Sequence, residues 1–300
     1  PKLFAMKQYV RFDWAMKKLL RDKTNFVVLE GFISTLLEKD IHITQLLESE
    51  SNQDYPDDKQ NRVDIAAQDD EGAKYIIEVQ AESEVAYFQR IIFGTSRLVR
   101  DYLRRGSSYG DIKKVYSINI VYFNLGQGDD YVYRGTTEFR GVHTGDILSL
   151  SPFQREKFNV DEVRDLFPEY YILKVNGFND VAKTPLEEWI QFLKNETIPE
   201  NPTAKGLAEA KKVMDYNHMS DAEKEQYEKH LDNIVVLKDN ILTARGEGRI
   251  EGRIEGREEG IAEGREEEKI ETARRMLQKG FDIDTITEIS GLTKDEIQQL

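Results

Sequence analysis

Cysteine is absent from all 300 residues. That excludes disulfides, thiol nucleophiles and zinc sites built on thiolates. Histidine is nearly as scarce: four residues, His42, His143, His218 and His230, lie far apart in sequence, which argues against a His-rich metal site. No apolar run approaches the roughly 20 residues of a membrane span. The N-terminal residues lack the apolar core of a signal peptide. A soluble, cytoplasmic protein without membrane attachment is the expectation. Positive charge is also in short supply, with 42 Lys and Arg against 56 Asp and Glu and a net charge of −14. A protein coated in base for nonspecific nucleic-acid binding is thereby disfavoured, and any phosphate contact has to come from a local basic patch. What is present is enough for a real core, with 39% hydrophobic residues. The length suits one large domain or a core with appendages.

Phe12, Ala15, Met16, Leu19 and Leu20 recur at helical spacing within residues 11–22, and "FVVLEGFISTLLE" (26–38) predicts a second, more apolar helix. "IHITQLLES" reads as a strand running into a loop, and residues 62–82 read as a hairpin. An amphipathic helix is expected over 84–105, with Phe88, Ile91, Ile92, Thr95, Leu98, Val99 and Tyr102 on one side and Gly106 as its stop. "VYSINIVYF" (115–123) is β-branched and aromatic on both faces, as a central buried strand is. Helix, strands, helix, strand is the order of an α/β core. Beyond it lie short strand-like pieces such as "DDYVYRG", and from "TPLEEWIQFLKN" onward the chain turns helical. Thr184, Pro185 and Glu187 combine capping-box spacing with proline at the first helical position, and Ser220 with Glu223 repeats the box.

In residues 246–267, Gly248, Gly252, Gly256, Gly260 and Gly264 recur every four residues, each preceded by Glu. A period of four exceeds the helical repeat, so the glycine row drifts around the axis. Each internal glycine costs about 1 kcal/mol against alanine. Two readings follow: a charged, flexible linker or frayed helix, or a helix whose glycine row admits a second helix as a homo-oligomerisation stalk. The final residues predict two or three short helices, with a turn at Gly291 and a capping box from Thr293 to Glu296. The spacing faintly suggests a helix-turn-helix, although its last helix is short and acidic, which argues against DNA reading there.

The hairpin "RVDIAAQDDEGAKYIIEVQAE" (62–82) places an acid inside each apolar arm. Alternation puts Arg62, Asp64 and Ala66 on one face of the first arm, and Ile76, Glu78 and Gln80 on one face of the second. If the turn is an odd-length loop centred on Glu71, Asp64 lies directly opposite Glu78, with Cβ atoms about 5 Å apart. Two ionised carboxylates at that range repel. Either one stays protonated, or a divalent cation sits between them, the hard oxygen donors suiting Mg²⁺ or Mn²⁺. A register slip of one residue would separate them. The bland alternative is a solvated sheet face that carries acids by chance.

Asp64 followed by Glu78-Val79-Gln80, within helix, strands, helix, strand, resembles the PD-(D/E)XK nuclease superfamily, with Gln where Lys is usual. More narrowly, the chain resembles the recombination-promoting nuclease (Rpn)/transposase family. The likeness rests on "RVDIAAQDDEGAKYIIEVQ", "YFQRIIFGTSRLVRDYL", "SYGDIKKVYSINIVYF", "LEEWIQFL" and the Glu-Gly-Arg tail, with its specific part at 10–125. The resemblance implies a restriction-endonuclease-like α/β core, a mixed central sheet flanked by helices, with a helical C-terminal extension. It implies a nuclease-like domain over 1–180, a helical region over 181–245, the repeat helix or linker over 246–268 and a small helical module over 269–300. It also implies Mg²⁺-dependent DNA cleavage, with Mn²⁺ or Ca²⁺ as alternative ions. Asp64 and Glu78 would ligate the metal, the Val79 carbonyl would complete the shell, and Gln80 would position the attacking water. An acid from the first core helix is often added; Glu30, at the edge of the apolar stripe, is the candidate, against an ordinary boundary glutamate, and Asp13 is its rival. Replacing Lys by Gln removes a cation and puts catalytic vigour in doubt, so a weak or inactive DNA-binding or oligomeric relative is the alternative function.

Arg90, Arg97 and Arg104 recur every seven residues on the helix, opposite Phe88, Ile91 and Thr95, and form the candidate DNA-binding stripe, followed by Arg105, Lys113 and Lys114. Asp101 within the stripe favours the plainer alternative of a solvated face.

Overall fold

The computed structural model describes residues 9–12, 14, 26–47, 62–81, 83–102 and 108–300. Most of the helix expected over 11–22 lies outside these residues, as do Asp13, Arg104 and Arg105. Contacts group the chain into one unit through Tyr227 and a second from Glu228 to Leu300.

In the first unit, α1 (Val27–Leu37) leads to β1 (Ile43–Leu47), then to the hairpin of β2 (Arg62–Asp69) and β3 (Lys74–Gln80). Helix α2 (Tyr87–Tyr102) crosses from β3 to β4 (Val115–Val121), and β5 (Val132–Gly135), α3 (Pro152–Phe158) and β6 (Glu169–Lys174) follow. The six strands form one sheet in the order β1-β2-β3-β4-β6-β5. β3, β4 and β6 run parallel at its centre, and the remaining pairs are antiparallel. This is the expected mixed sheet flanked by helices. Parallel strands need cover on both faces. Helix α2 supplies one cover: Tyr87 and Ile91 pack with Val121 and Phe123, while Leu98 packs with Ala66 and Val115. The opposite face, with Ile65, Ile77, Ile118 and Ile120, is buried as well.

Two expectations for this region change. Phe88 and Ile92, expected to face inward, are 48% and 59% exposed, and the buried stripe of α2 is Tyr87, Ile91, Thr95 and Leu98. Apolar residues occupy so much of the helix circumference that spacing alone does not choose the seam; the edge contact of Tyr87 on Phe123 at 5.5 Å accompanies the rotation observed. Strand β4 is buried on both faces, but its α2 side carries Ser117 and Asn119 rather than only apolar groups.

Helices α4 (Pro185–Asn195) and α5 (Leu207–Val213) follow. Thr184 caps α4 through the expected box, its side chain accepting from the Glu187 N–H. Trp189 of α4 meets Phe12, Phe32 and Phe192 edge-on. α1 passes so close to the start of α5 that a Cβ on Gly31 would lie 2.3 Å from the Lys205 carbonyl oxygen.

Helix α6 (Asp221–Gln278) is 58 residues long, so the glycine repeat is helical, not an irregular linker. In the second unit the end of α6 packs on α7 (Ile283–Ser290) and α8 (Lys294–Gln298) through Ala273, Ile286, Leu292 and Ile297. Gly291 turns between α7 and α8 at φ 74, and Thr293 and Glu296 form the expected capping box.

Candidate functional site

The hairpin turn fixes which residues of β2 and β3 meet. The Asp69 N–H donates to the Ala73 carbonyl at 3.1 Å, and Gly72 takes the left-handed φ of 83 that this loop requires. The buried Asp69 carboxylate accepts from the Ala73 N–H at 2.8 Å and from the Tyr75 hydroxyl at 2.7 Å, which ties the turn to its own strand. The loop is odd-numbered and centred on Glu71. Ala66 therefore pairs with Ile76, and Asp64 with Glu78.

Backbone parity sharpens that pairing. The Lys74 N–H donates to the Lys114 carbonyl, and the Gln80 carbonyl accepts from Tyr122, so even-numbered residues of β3 turn their backbone groups toward β4. Glu78 shares that parity. Asp64 and Glu78 are thus a non-hydrogen-bonded antiparallel pair, the closer of the two kinds, with Cα atoms about 4.5 Å apart. By the same alternation Val79 directs its carbonyl toward β2.

Glu78 is 6% exposed and lies under α2. Arg90 Nε is 3.2 Å from Glu78 Oε2, and Arg90 Nη1 is 3.3 Å from Glu84 Oε2. One turn further along α2, a Cβ on Gly94 would lie 3.5 Å from Glu78 Oε1, an ordinary contact distance, so this position faces the carboxylate. On the other side, Asn119 is the register partner of Glu78 in β4. It is fully buried, donating to Ser117 Oγ and to the Tyr171 carbonyl, each at 3.1 Å, and accepting from the Tyr87 hydroxyl at 3.5 Å. Gln80, also buried, is two residues from Glu78 on the same face. A row of polar residues thus crosses the sheet between two apolar patches.

Not every expected residue reaches this row. Glu30 Oε1 accepts the Ile43 N–H at 2.7 Å, and Ile43 is the register partner of Asp69. Asp69 lies five positions along β2 from Asp64, about 17 Å of strand, so Glu30 is held at the turn end and joins α1 to β1. The arginines differ from the expected outward stripe. Arg90 points at Glu78 beside the buried seam, Arg97 is half-buried, and Arg104 lies outside the described residues. Lys114 is engaged by Glu169 at 3.2 Å.

Glu84, Ser117 and Asn119 are not evident as site residues from the sequence. The polar alternation inside "VYSINIV" was the available signal for the last two; Glu84 had none. Among the described residues no three His, Asp or Glu side chains are grouped to hold a metal ion. Of Asp64, the backbone position is described and the side chain is not.

On the opposite face of the sheet lies a second ionic group. Glu169 receives Arg134 Nε at 2.6 Å, the Tyr171 hydroxyl at 2.7 Å and Lys114. Burial pushes its carboxyl up, but the hydrogen bonds from Tyr171 and Arg134 and the charge of Lys114 outweigh it and leave the pKa below the ordinary value. Burial, aided by Glu169, pushes the neighbouring Tyr116 hydroxyl up to about 12.

Residues 10–151 match the PD-(D/E)XK nuclease family transposase family, and residues 266–300 match the C-terminal helix-turn-helix domain of the Rpn/YhgA-like nuclease family. No curated protein and no solved structure matches the chain. The first segment contains the whole β2–β3 hairpin and α2. The second covers the end of α6 with α7 and α8, the region whose helix-turn-helix character the sequence only faintly suggested.

Proposed function

From a chain that belongs to the Rpn-type, transposase-related PD-(D/E)XK nuclease family, we propose a metal-dependent DNA endonuclease whose site is the Asp64–Glu78 row. The observation that carries this reading is the register, which sets the two acidic positions directly opposite each other. Like charges at such positions destabilise a sheet unless something neutralises them. The donors are hard oxygens: two carboxylates, the Val79 carbonyl and the Gln80 amide, a set that suits Mg²⁺, or Mn²⁺ or Ca²⁺ in its place. Asp64 and Glu78 would hold the ion, with Val79 completing the shell. When bound, such an ion acidifies water and neutralises charge on the scissile phosphate.

The chain's own residues do the rest. Gln80 orients the attacking water. Arg90 supplies the positive charge that the family motif usually draws from Lys, entering from α2 instead of β3; its contact with Glu78 supports that role. Arg97, further along α2, and Arg104 are proposed phosphate contacts, and the C-terminal helix-turn-helix supports DNA as the partner.

One observation favours a second reading, a DNA-binding relative that does not cleave: Glu78 is already paired with Arg90, which competes with a metal for the carboxylate. Plasmid cleavage distinguishes the two. The endonuclease predicts nicking with Mg²⁺ that stops with EDTA and is lost in Asp64→Asn and Glu78→Gln. DNA binding without cleavage under any divalent ion would support the second reading.

A further inference from the structure

The outer side of α2 carries an aromatic ring that the sheet does not use. Phe93 is 67% exposed and follows Ile92, itself 59% exposed. Single exposed apolar side chains are ordinary on a protein surface, so exposure alone assigns nothing. The surroundings of Phe93 say more. At about 100° per residue, Phe93 lies about 60° around α2 from Arg90, about 40° from Arg97 and about 20° from Arg100. α2 holds these three Arg and a single acid, Asp101 in its last turn, within a chain of net charge −14. Cations for the backbone with an aromatic ring among them are what a single nucleic-acid strand binds to.

The ring also stands close to the acidic row. One side of α2 looks onto the β2–β3 hairpin: Arg90 Nε is 3.2 Å from Glu78 Oε2, a Cβ on Gly94 would lie 3.5 Å from Glu78 Oε1, and Leu98 packs with Ala66. Phe93 directly precedes Gly94 at the outer border of that side. Adjacent Cα atoms are about 3.8 Å apart and a C–C bond spans about 1.5 Å, so the Phe93 Cα is no further than about 9 Å from Glu78 Oε1. A strand advances about 3.4 Å per nucleotide, so a phosphate held at the Asp64–Glu78 row brings a base within about three nucleotides of it into reach of Phe93.

On the nuclease reading of that row, which this step rests on and extends, we propose that Phe93 stacks on an unpaired base beside the scissile phosphate. Arg97 and Arg100 contact the phosphates of the same strand. The preferred substrate is then single-stranded DNA, or a single-stranded segment of a larger DNA. A duplex suits the ring poorly. Its base faces are stacked on one another, its rim is sugar and charged phosphate, and exposing one base face requires unstacking it first. An unpaired strand offers its base faces at little cost, and stacking on them is indifferent to sequence. Phe93 is on this account a specificity-determining residue that takes no part in the chemical step.

Binding and cleavage are measured separately on the full-length chain. In EDTA, wild type, Phe93→Ala and Phe93→Trp are titrated against a fluorescent oligodeoxynucleotide, either single-stranded or annealed to its complement. The ratio of single-strand to duplex affinity should fall by about tenfold in Phe93→Ala and be kept in Phe93→Trp. A 2-aminopurine base in the single strand should be quenched by wild type and Phe93→Trp but not by Phe93→Ala. Thermal melting checks that each variant is folded. With Mg²⁺, a hairpin oligonucleotide with a long loop should be cut by the wild type in the loop. A wild type that binds no single strand, a ratio unchanged in Phe93→Ala, or cutting confined to the stem overturns the proposal. An unchanged ratio is also the result expected if Phe93 and Ile92 serve a protein partner instead. Cleavage with an unchanged ratio refutes stacking and leaves the nuclease standing. A Phe93-dependent ratio without cleavage under any divalent ion does the reverse.

Discussion

Arg90 and Glu78 meet where α2 crosses the sheet, Nε to Oε2 at 3.2 Å, with both side chains largely buried. The contact joins a helix residue that the heptad spacing placed on an outer face to the acid in the middle of β3. Truncation of one partner of such a pair leaves the other charge desolvated. Arg90→Ala is therefore expected to destabilise the protein by about 3 kcal/mol, and the double variant with Glu78→Gln to recover a large part of that loss. Arg90→Lys keeps the charge but not the planar guanidinium geometry and should fall in between. Urea unfolding of the cycle checks this; an Arg90→Ala protein as stable as the wild type would show that the pair contributes nothing to the fold.

Gly94 sets how much room Glu78 has. The 3.5 Å distances from an added methyl to Glu78 Oε1 and Ile76 Cδ1 are ordinary contacts. Gly94→Ala should then fit and, through helix propensity, stabilise α2 by about 1 kcal/mol. Gly94→Leu should displace Glu78 and lower both the melting temperature and any cleavage. Comparing the two variants separates the space requirement from the backbone effect.

At Gly31 the outcome reverses. The obstructing atoms there are backbone, the Lys205 carbonyl oxygen at 2.3 Å and Gly206 Cα at 2.5 Å from an added Cβ. Despite the better propensity of alanine, Gly31→Ala must push α1 away from α5, at a cost of about 1–3 kcal/mol. Thermal melting of this single variant, expected several degrees lower, is sufficient to check it.

Glu169 predicts a pH dependence. Its folded pKa is depressed, so its stabilising contribution is complete above the unfolded carboxylate value, about 4.3, and is lost as the pH falls through the lower folded value. Wild type should melt above Glu169→Gln at neutral pH, and the gap should close only below about pH 4. A gap that is constant from neutral to acid pH would show that the ionised form of Glu169 is not what stabilises the network.

The hairpin was the most legible part of the chain. Alternation sets which residues of each arm share a face, and an odd-numbered turn centred on Glu71, which the sequence offers only as one possibility, is the turn observed and brings Asp64 opposite Glu78. The seam of α2 was not legible, because Phe88, Ile91, Ile92 and Phe93 spread apolar surface around the helix and only packing on Val121 and Phe123 selects among them. Ser117 and Asn119 were hidden inside an apolar strand, and only the register of the folded sheet sets Asn119 beside Glu78. Glu30 showed the opposite failing: its place on the helical wheel suited a site, but its carboxylate is engaged by the Ile43 N–H at the far end of the hairpin. Helical spacing identifies a face, not the neighbour that the face meets.

The central claim is that Asp64 and Glu78 together hold one divalent ion. Electron paramagnetic resonance of Mn²⁺ titrated into the protein measures this without relying on cleavage. One tight Mn²⁺ per chain is expected in the wild type, displaced by Mg²⁺, and its loss is expected in both Asp64→Asn and Glu78→Gln variants that remain folded. Wild-type protein that binds no Mn²⁺, or variants that bind it as tightly as the wild type, would contradict the claim.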